Sequence, residues 1–319
     1  MQTTSTRARQ ALHYIAIAAV VMLVCRTSFA VPLDAAPRTS AQAPVPPELR
    51  VTRNVRYGSD VRQRFDVYAP AGARDAPVIF MVHGGGWAYG DKSAHGVVDN
   101  KVARWVPRGF VVISANYRMI PKADPVEQAR DIARAVAVAQ QRASSWGADR
   151  TKFVLMGHSA GAHLVSLLAT SPSLAGDLPL APWLGVVSIE SGALDVVEIM
   201  RARHARLFDR AFGRDTAYWR TASPIHALTQ AAAPALLICS TRRSASCRQA
   251  DRFAAKAASL GTRASVLRED LSHAEADALL GADPEYTAGV ETFLRGLDLS
   301  IDRLLAPPAS PAEPRAPQR

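Results

Sequence analysis

The sequence predicts an α/β architecture: a mostly parallel sheet with helices on both faces and a small inserted cap. Three observations carry this. Short apolar runs alternate with longer stretches of helical period through the middle of the chain. One run, 78–82 (Val-Ile-Phe-Met-Val), is continuously apolar rather than alternating, as a strand buried on both faces must be. And a glycine-flanked serine, Gly157-His158-Ser159-Ala160-Gly161, falls where an apolar strand gives way to a helix. With 48% hydrophobic residues in 319, there is ample material for one large core.

In chain order, 51–57 and 64–68 read as strands joined by a turn containing Gly58-Ser59-Asp60, an antiparallel hairpin at one edge of the sheet. Strands follow at 78–82 and 111–115, then a long helix over 125–146 with Ala and Val on one stripe. A strand at 152–156, a helix at 160–169 and a strand at 184–189 surround the serine. Residues 195–229 interrupt the alternation and suit a cap over the carboxyl edge of the sheet. Strand 235–239, helix 249–260 and strand 263–267 resume it, and 285–297 reads as the closing helix. The folded domain is thus expected over 51–305, without internal repeats.

Residues 1–30 have the layout of a secretory signal: Arg7 and Arg9, an apolar run of eleven residues over 14–24, and Ser28-Phe29-Ala30 as a cleavage site. A spanning helix needs about 20 apolar residues, so an uncleaved anchor is the weaker alternative. The Ala/Pro-rich segment 31–50 reads as a linker, and the Pro-rich tail 306–319 lacks the apolar content to fold. Export implies a periplasmic or secreted protein. Cleavage takes away three arginines and Cys25, leaving a charge of +7 from the formal +10. The remaining Cys239 and Cys247 are then expected to pair, the alternative being a buried strand residue and a free thiol. The arginines are scattered, with no basic run and no interleaved aromatics, so nucleic acid is not an expected partner.

The serine pattern has a physical reading. A serine in a tight strand-to-helix turn exposes its Oγ, and flanking glycines let neighbouring chains pass close by. The helix start behind it offers free N–H groups where an oxyanion would form. His83-Gly84-Gly85-Gly86-Trp87 follows the strand at 78–82, and consecutive glycines let N–H groups converge on one point. A phosphate loop does not fit, because Asp91 stands where the lysine is needed and Lys92 comes one residue late. His273 follows the last predicted strand and is the candidate general base; His83 and His158 read as structural pins of their loops. No metal-ligand spacing or dinucleotide glycine motif is present, so neither metal nor cofactor is expected.

These residues resemble those of the α/β-hydrolases of the carboxylesterase, hormone-sensitive-lipase-like and arylformamidase-like group. The likeness runs from about 57 to 273, on Phe65-Asp66-Val67-Tyr68-Ala69-Pro70, His83 to Trp87 with Gly90-Asp91-Lys92, Asn116-Tyr117-Arg118, the Ser159 pentapeptide and His273. It implies Ser159 as nucleophile, His273 as base, and the N–H groups of Gly85, Gly86 and Ala160 as oxyanion donors. One feature departs from the group. An aspartate usually follows the strand equivalent to 235–239, but here the chain reads Ser240-Thr241-Arg242-Arg243-Ser244-Ala245-Ser246-Cys247. The acid is then Asp195, from one strand over; Asp251, reaching back from the next helix; or absent, with Ser244 or Ser246 orienting His273. Glu190 is a weaker form of the first choice, and Asp195 serves equally as a helix N-cap. The implied function is cofactor-free hydrolysis of short-acyl carboxylic esters. The alternatives are an arylformamidase-like amide hydrolase and a weakly active or inactive ligand-binding relative.

Overall fold

A computed structural model describes residues 48–306 of the chain. The signal reading of 1–30, the linker as far as residue 47 and the tail beyond 306 lie outside the described residues. Strand β1 (Leu49–Arg56) pairs antiparallel with β2 (Arg64–Pro70). Then come β3 (Ala76–Val82), helix α1 (His95–Trp105), β4 (Val111–Ala115) and helix α2 (Pro125–Arg142). Strand β5 (Ala148–His158) leads into α3 (Ala160–Thr170), followed by β6 (Gly185–Ile189). Residues 195–229 form four short helices: α4 (Val196–Arg201), α5 (Arg206–Phe212), α6 (Thr216–Thr221) and α7 (Pro224–Ala227). The chain closes with β7 (Ala235–Ser240), α8 (Ser244–Ser259), β8 (Ala264–Glu269), α9 (Glu275–Ala278), α10 (Pro284–Arg295) and α11 (Leu299–Leu305).

The eight strands lie in the order β1-β2-β4-β3-β5-β6-β7-β8. Only the β1–β2 and β2–β4 pairs are antiparallel; the other ladders are parallel. Side chains of β3 divide the interior in two. Val78, Phe80 and Val82 meet α2 and α3, whereas Ile79 and Met81 meet α1, α10 and α11. Helix α8 covers Leu237 and Cys239 on the same side as α3. Both faces are therefore sealed, which is why β3 carries no polar residue.

Helix boundaries follow local chemistry. Asp124 caps α2 by accepting from the N–H groups of Val126 and Glu127, with Pro125 in the first turn. The expected 125–146 helix ends four residues early, tightening into a 3-10 turn over Ala143–Trp146 before left-handed Gly147. The expected 249–260 helix begins earlier, at Ser244. Its first turn is polar and escapes an apolar-stripe reading. Helices α1 and α11 were not expected; α1 has Gly96 and Asn100 inside it and no side-chain cap.

The residues of the sequence likeness outside the serine loops act as buried struts. Lys92 Nζ lies 2.8 Å from the Asp66 carboxylate, which is fully buried. Asn116 Oδ1 accepts from the Lys92 N–H at 2.7 Å, and its amide donates to Asp91 at 2.8 Å. Arg118 grips Asp131 with two bonds of 2.8 and 2.7 Å. Cys239 and Cys247 form a disulfide that ties the end of β7 to the first turn of α8.

Candidate active site

Ser159 sits between β5 and α3 at φ 53°, ψ −116°, a region closed to most side chains. The turn persists because nothing larger than glycine fits beside it. A Cβ on Gly161 would lie 2.2 Å from the Val82 carbonyl oxygen, and one on Gly157 would lie 2.5 Å from the Gly161 backbone. The serine backbone is also clamped to the segment after β6. Its N–H donates to the Ile189 carbonyl and its carbonyl accepts from the Gly192 N–H, both at 2.9 Å.

His273 Nε2 lies 2.9 Å from Ser159 Oγ, and His273 Nδ1 lies 2.8 Å from Glu190 Oε2. The histidine stands on the loop between β8 and α9. The His158 ring holds that loop from below by donating from Nε2 to the His273 carbonyl at 2.8 Å. Asp277 stands 3.4 Å from His158 Nδ1, and its carboxylate is anchored by the fully buried Lys101 at 2.8 Å. The loop thus rests on a buried ion pair.

Glu190 follows directly on β6 at φ 47°, and its side chain is wholly buried. Burial pushes its carboxyl up. Hydrogen bonds from His273, Ser246 and the Ser240 N–H, together with the Arg243 charge, outweigh this and hold it down at about 2. It is therefore ionised at neutral pH. Arg243 pairs with Glu190 Oε2 and also comes within 2.7 Å of His273 Nδ1. A single ring nitrogen cannot both donate to Glu190 and accept from a guanidinium. With Nε2 facing the serine hydroxyl as acceptor, Nδ1 carries the proton and donates to Glu190. Arg243 then acts on the carboxylate.

The expectation of Asp195 as the acid is corrected by this geometry. Asp195 caps α4, accepting from the Glu198 N–H at 2.9 Å, and its other oxygen meets Arg252 at 3.2 Å. It begins the cap, five residues beyond Glu190, so its carboxylate is occupied there. Asp251 pairs with Arg268 at 2.5 Å, both side chains about half exposed. Ser246 bonds to Glu190 rather than to the histidine, and Ser244 is exposed. Only one signal marked Glu190 in the sequence: a carboxylate immediately after an apolar strand.

The 83–90 loop curls beside the serine. Gly85 has φ 117°, and a Cβ there would collide with the Tyr89 carbonyl at 2.2 Å. Gly86 and Trp87 are left-handed too, and Gly84 passes so close that a Cβ on it would lie 3.0 Å from that of Ser159. No donation from the Gly85, Gly86 or Ala160 N–H groups is seen among the described residues. His83 is fixed by donating from Nδ1 to the Gly84 carbonyl at 2.7 Å and by stacking on Tyr117. The Trp87 indole donates to His163 Nδ1 at 3.1 Å, and His163 passes a bond on to the Ala222 carbonyl at 2.8 Å. Burial lowers the His163 pKa to about 4, so the ring stays neutral and the chain of bonds intact. Phe208 and Phe212 of α5 pack edge-on against Trp87, which sets the cap against this loop. Among the described residues, no group of three or more His, Cys, Asp or Glu side chains is placed to hold a metal ion, and no helix is long and apolar enough to cross a membrane.

Esterase LipC of Mycobacterium tuberculosis is 30% identical over 205 residues, covering 60% of this chain and 50% of that protein. Kynurenine formamidase of Salmo salar is 29% identical over 149 residues, 46% of this chain and 47% of that one. The chain therefore spans about half the length of these curated relatives. Among solved structures, esterase B of Lactobacillus rhamnosis superposes with a TM-score of 0.66 at 21% identity, over 82% of this chain and 89% of that one. That likeness establishes the α/β-hydrolase fold. The model of the BD-FAE family matches residues 65–256, from β2 to within α8. The chain belongs to the BD-FAE family and has the α/β-hydrolase fold.

Proposed function

We propose that this chain is a serine hydrolase of carboxylic esters, with Ser159 as nucleophile, His273 as general base and Glu190 as the orienting acid. The observation that carries the reading is the continuous relay from Ser159 Oγ to His273 at 2.9 Å and on to Glu190 at 2.8 Å. In this scheme His273 takes the hydroxyl proton as Oγ attacks the acyl carbonyl. The ionised Glu190 stabilises the imidazolium, and the N–H groups of Gly85, Gly86 and Ala160 receive the oxyanion. Collapse expels the alcohol, protonated by His273, and water enters by the same route to release the acid. A cavity of about 320 Å³ beside the site favours short acyl or alcohol parts. Export is part of the same proposal, supported by the pattern in residues 1–30 and by the disulfide.

The likeness to kynurenine formamidase favours a second reading, cleavage of an aryl formamide by the same residues. Fluorophosphonate labelling of wild type and Ser159→Ala tests the machinery. We expect labelling of wild type only, and loss of about 10⁶ in kcat on p-nitrophenyl acetate in the variant. Absence of Ser159-dependent labelling would overturn the enzyme reading in favour of a ligand-binding protein. Faster turnover of an aryl formamide than of the matched ester would favour the second.

A further inference from the structure

The cavity beside the proposed nucleophile has an unusual wall. It is bounded by Ser191 and Gly192 after β6, by the end of α4 and the α4–α5 turn, and by the first turn of α8. Gly192 ties it to the reaction centre. Its N–H bonds to the Ser159 carbonyl at 2.9 Å, and a Cβ on it would lie 3.4 Å from the Ala160 nitrogen. On the opposite wall Arg243 comes within 2.7 Å of His273. Two residues of the cavity wall, Gly192 and Arg243, therefore contact the serine and the histidine of the pair.

Its charged lining is three arginines, Arg203, Arg243 and Arg248, against one carboxylate, Glu198. Arg243 is matched by Glu190. Glu198 is already shared between Arg252 at 2.9 Å and, more loosely, Arg248 at 3.6 Å. Arg203 makes no ion pair with any of the described residues. The first turn of α8 faces the same space and contains no acidic residue, so the helix adds positive potential to that of the arginines. Ile199, Phe208 and Ala245 add apolar surface to the same lining.

An uncharged alkyl chain entering this space would strip water from guanidinium groups and return no hydrogen bond to them. A carboxylate would be met by forked donors and by the helix terminus together. We propose that the substrate is an anionic ester, carrying a carboxylate on a short chain that Arg203 and Arg248 hold in this cavity. The proposal rests on the ester-hydrolase reading above and names its substrate class.

Two matched substrate pairs test it on the full chain. Mono-p-nitrophenyl adipate against p-nitrophenyl hexanoate places the charge on the acyl side. 4-Acetoxyphenylacetate against its primary amide places it on the alcohol side. In wild type, one anionic member is expected to exceed its neutral partner by about tenfold in kcat/KM, mainly through KM and less at high salt. In Arg203→Ala/Arg248→Ala that preference should disappear while turnover of the neutral partner is unchanged. Equal or better use of both neutral members by wild type overturns the anion proposal and leaves the esterase reading standing. So does a double variant that loses charged and neutral members alike. Failure to turn over any of the four, with Ser159 unlabelled, overturns both readings.

Discussion

Around Ser159 the backbone does the positioning; around Glu190 side chains do it. The serine turn is set by glycines at fixed sequence offsets from Ser159, at close crossings, and is clamped by backbone N–H and carbonyl groups after β6. Glu190 is held instead by His273, Ser246, the Ser240 N–H and Arg243, contributed by three other segments. A site part built from backbone at fixed offsets announces itself as a motif. A part assembled from distant side chains can move from one strand end to the next while the histidine keeps a partner.

Beyond loss of the nucleophile itself, substitutions probe each side of that contrast, and the largest of these effects belongs to the acid. Glu190→Gln should lower kcat by about 10⁴ with little change in KM, read in steady-state ester hydrolysis. The same variant has a pH signature. The Glu190 carboxyl is depressed from the ordinary 4.5 to about 2, so its contribution to stability is complete above about pH 4.5 and is lost as pH falls towards 2. Urea midpoints followed through that window should fall in wild type and fall less steeply in Glu190→Gln.

The backbone side is broken by a single methyl. Gly161→Ala places a Cβ 2.2 Å from the Val82 carbonyl oxygen, with only rigid backbone to yield. A loss of roughly 4 kcal/mol is expected by denaturant titration, with activity falling alongside the fold. Next comes the covalent tie near Glu190. Cys247→Ser frees the segment carrying Arg243 and Ser246, and should cost about 2–3 kcal/mol, seen as a lower Tm. The smallest effect is expected at Asp195. Asp195→Asn should leave kcat within about threefold and cost roughly 1 kcal/mol as a weakened cap. A kcat loss there comparable to that of Glu190→Gln would reverse the assignment.

The sheet was legible because each central strand is built on a short apolar run bounded by polar loops, and 111–115 matches β4 residue for residue. The serine turn and glycine loop were legible because their constraints are local. The acid was not, since three carboxylates lie near the carboxyl edge in sequence and only the fold says which faces His273. On paper Asp195 ranked ahead of Glu190, but its oxygens serve the α4 N-terminus and Arg252. Arg243 explains the empty place after β7: a guanidinium stands where the related hydrolases usually carry the acid, and it acts on the carboxylate from the neighbouring strand. The short cap helices were beyond sequence reading because their stripes are too brief to show a period.

The two hydrogen bonds between Ser159 and the 189–192 segment have a mechanical consequence. Glu190 lies inside the segment they bracket, so Ser159 and Glu190 belong to one stiff frame, like two jaws cut from the same block. His273 is the separate part, with its side chain 39% exposed on a loop that rests on the His158 and Asp277 supports. Thermal motion that opens the relay is therefore carried by that loop. The gap between the fixed jaws acts as a gauge that returns the ring to one depth and one tilt each time it closes.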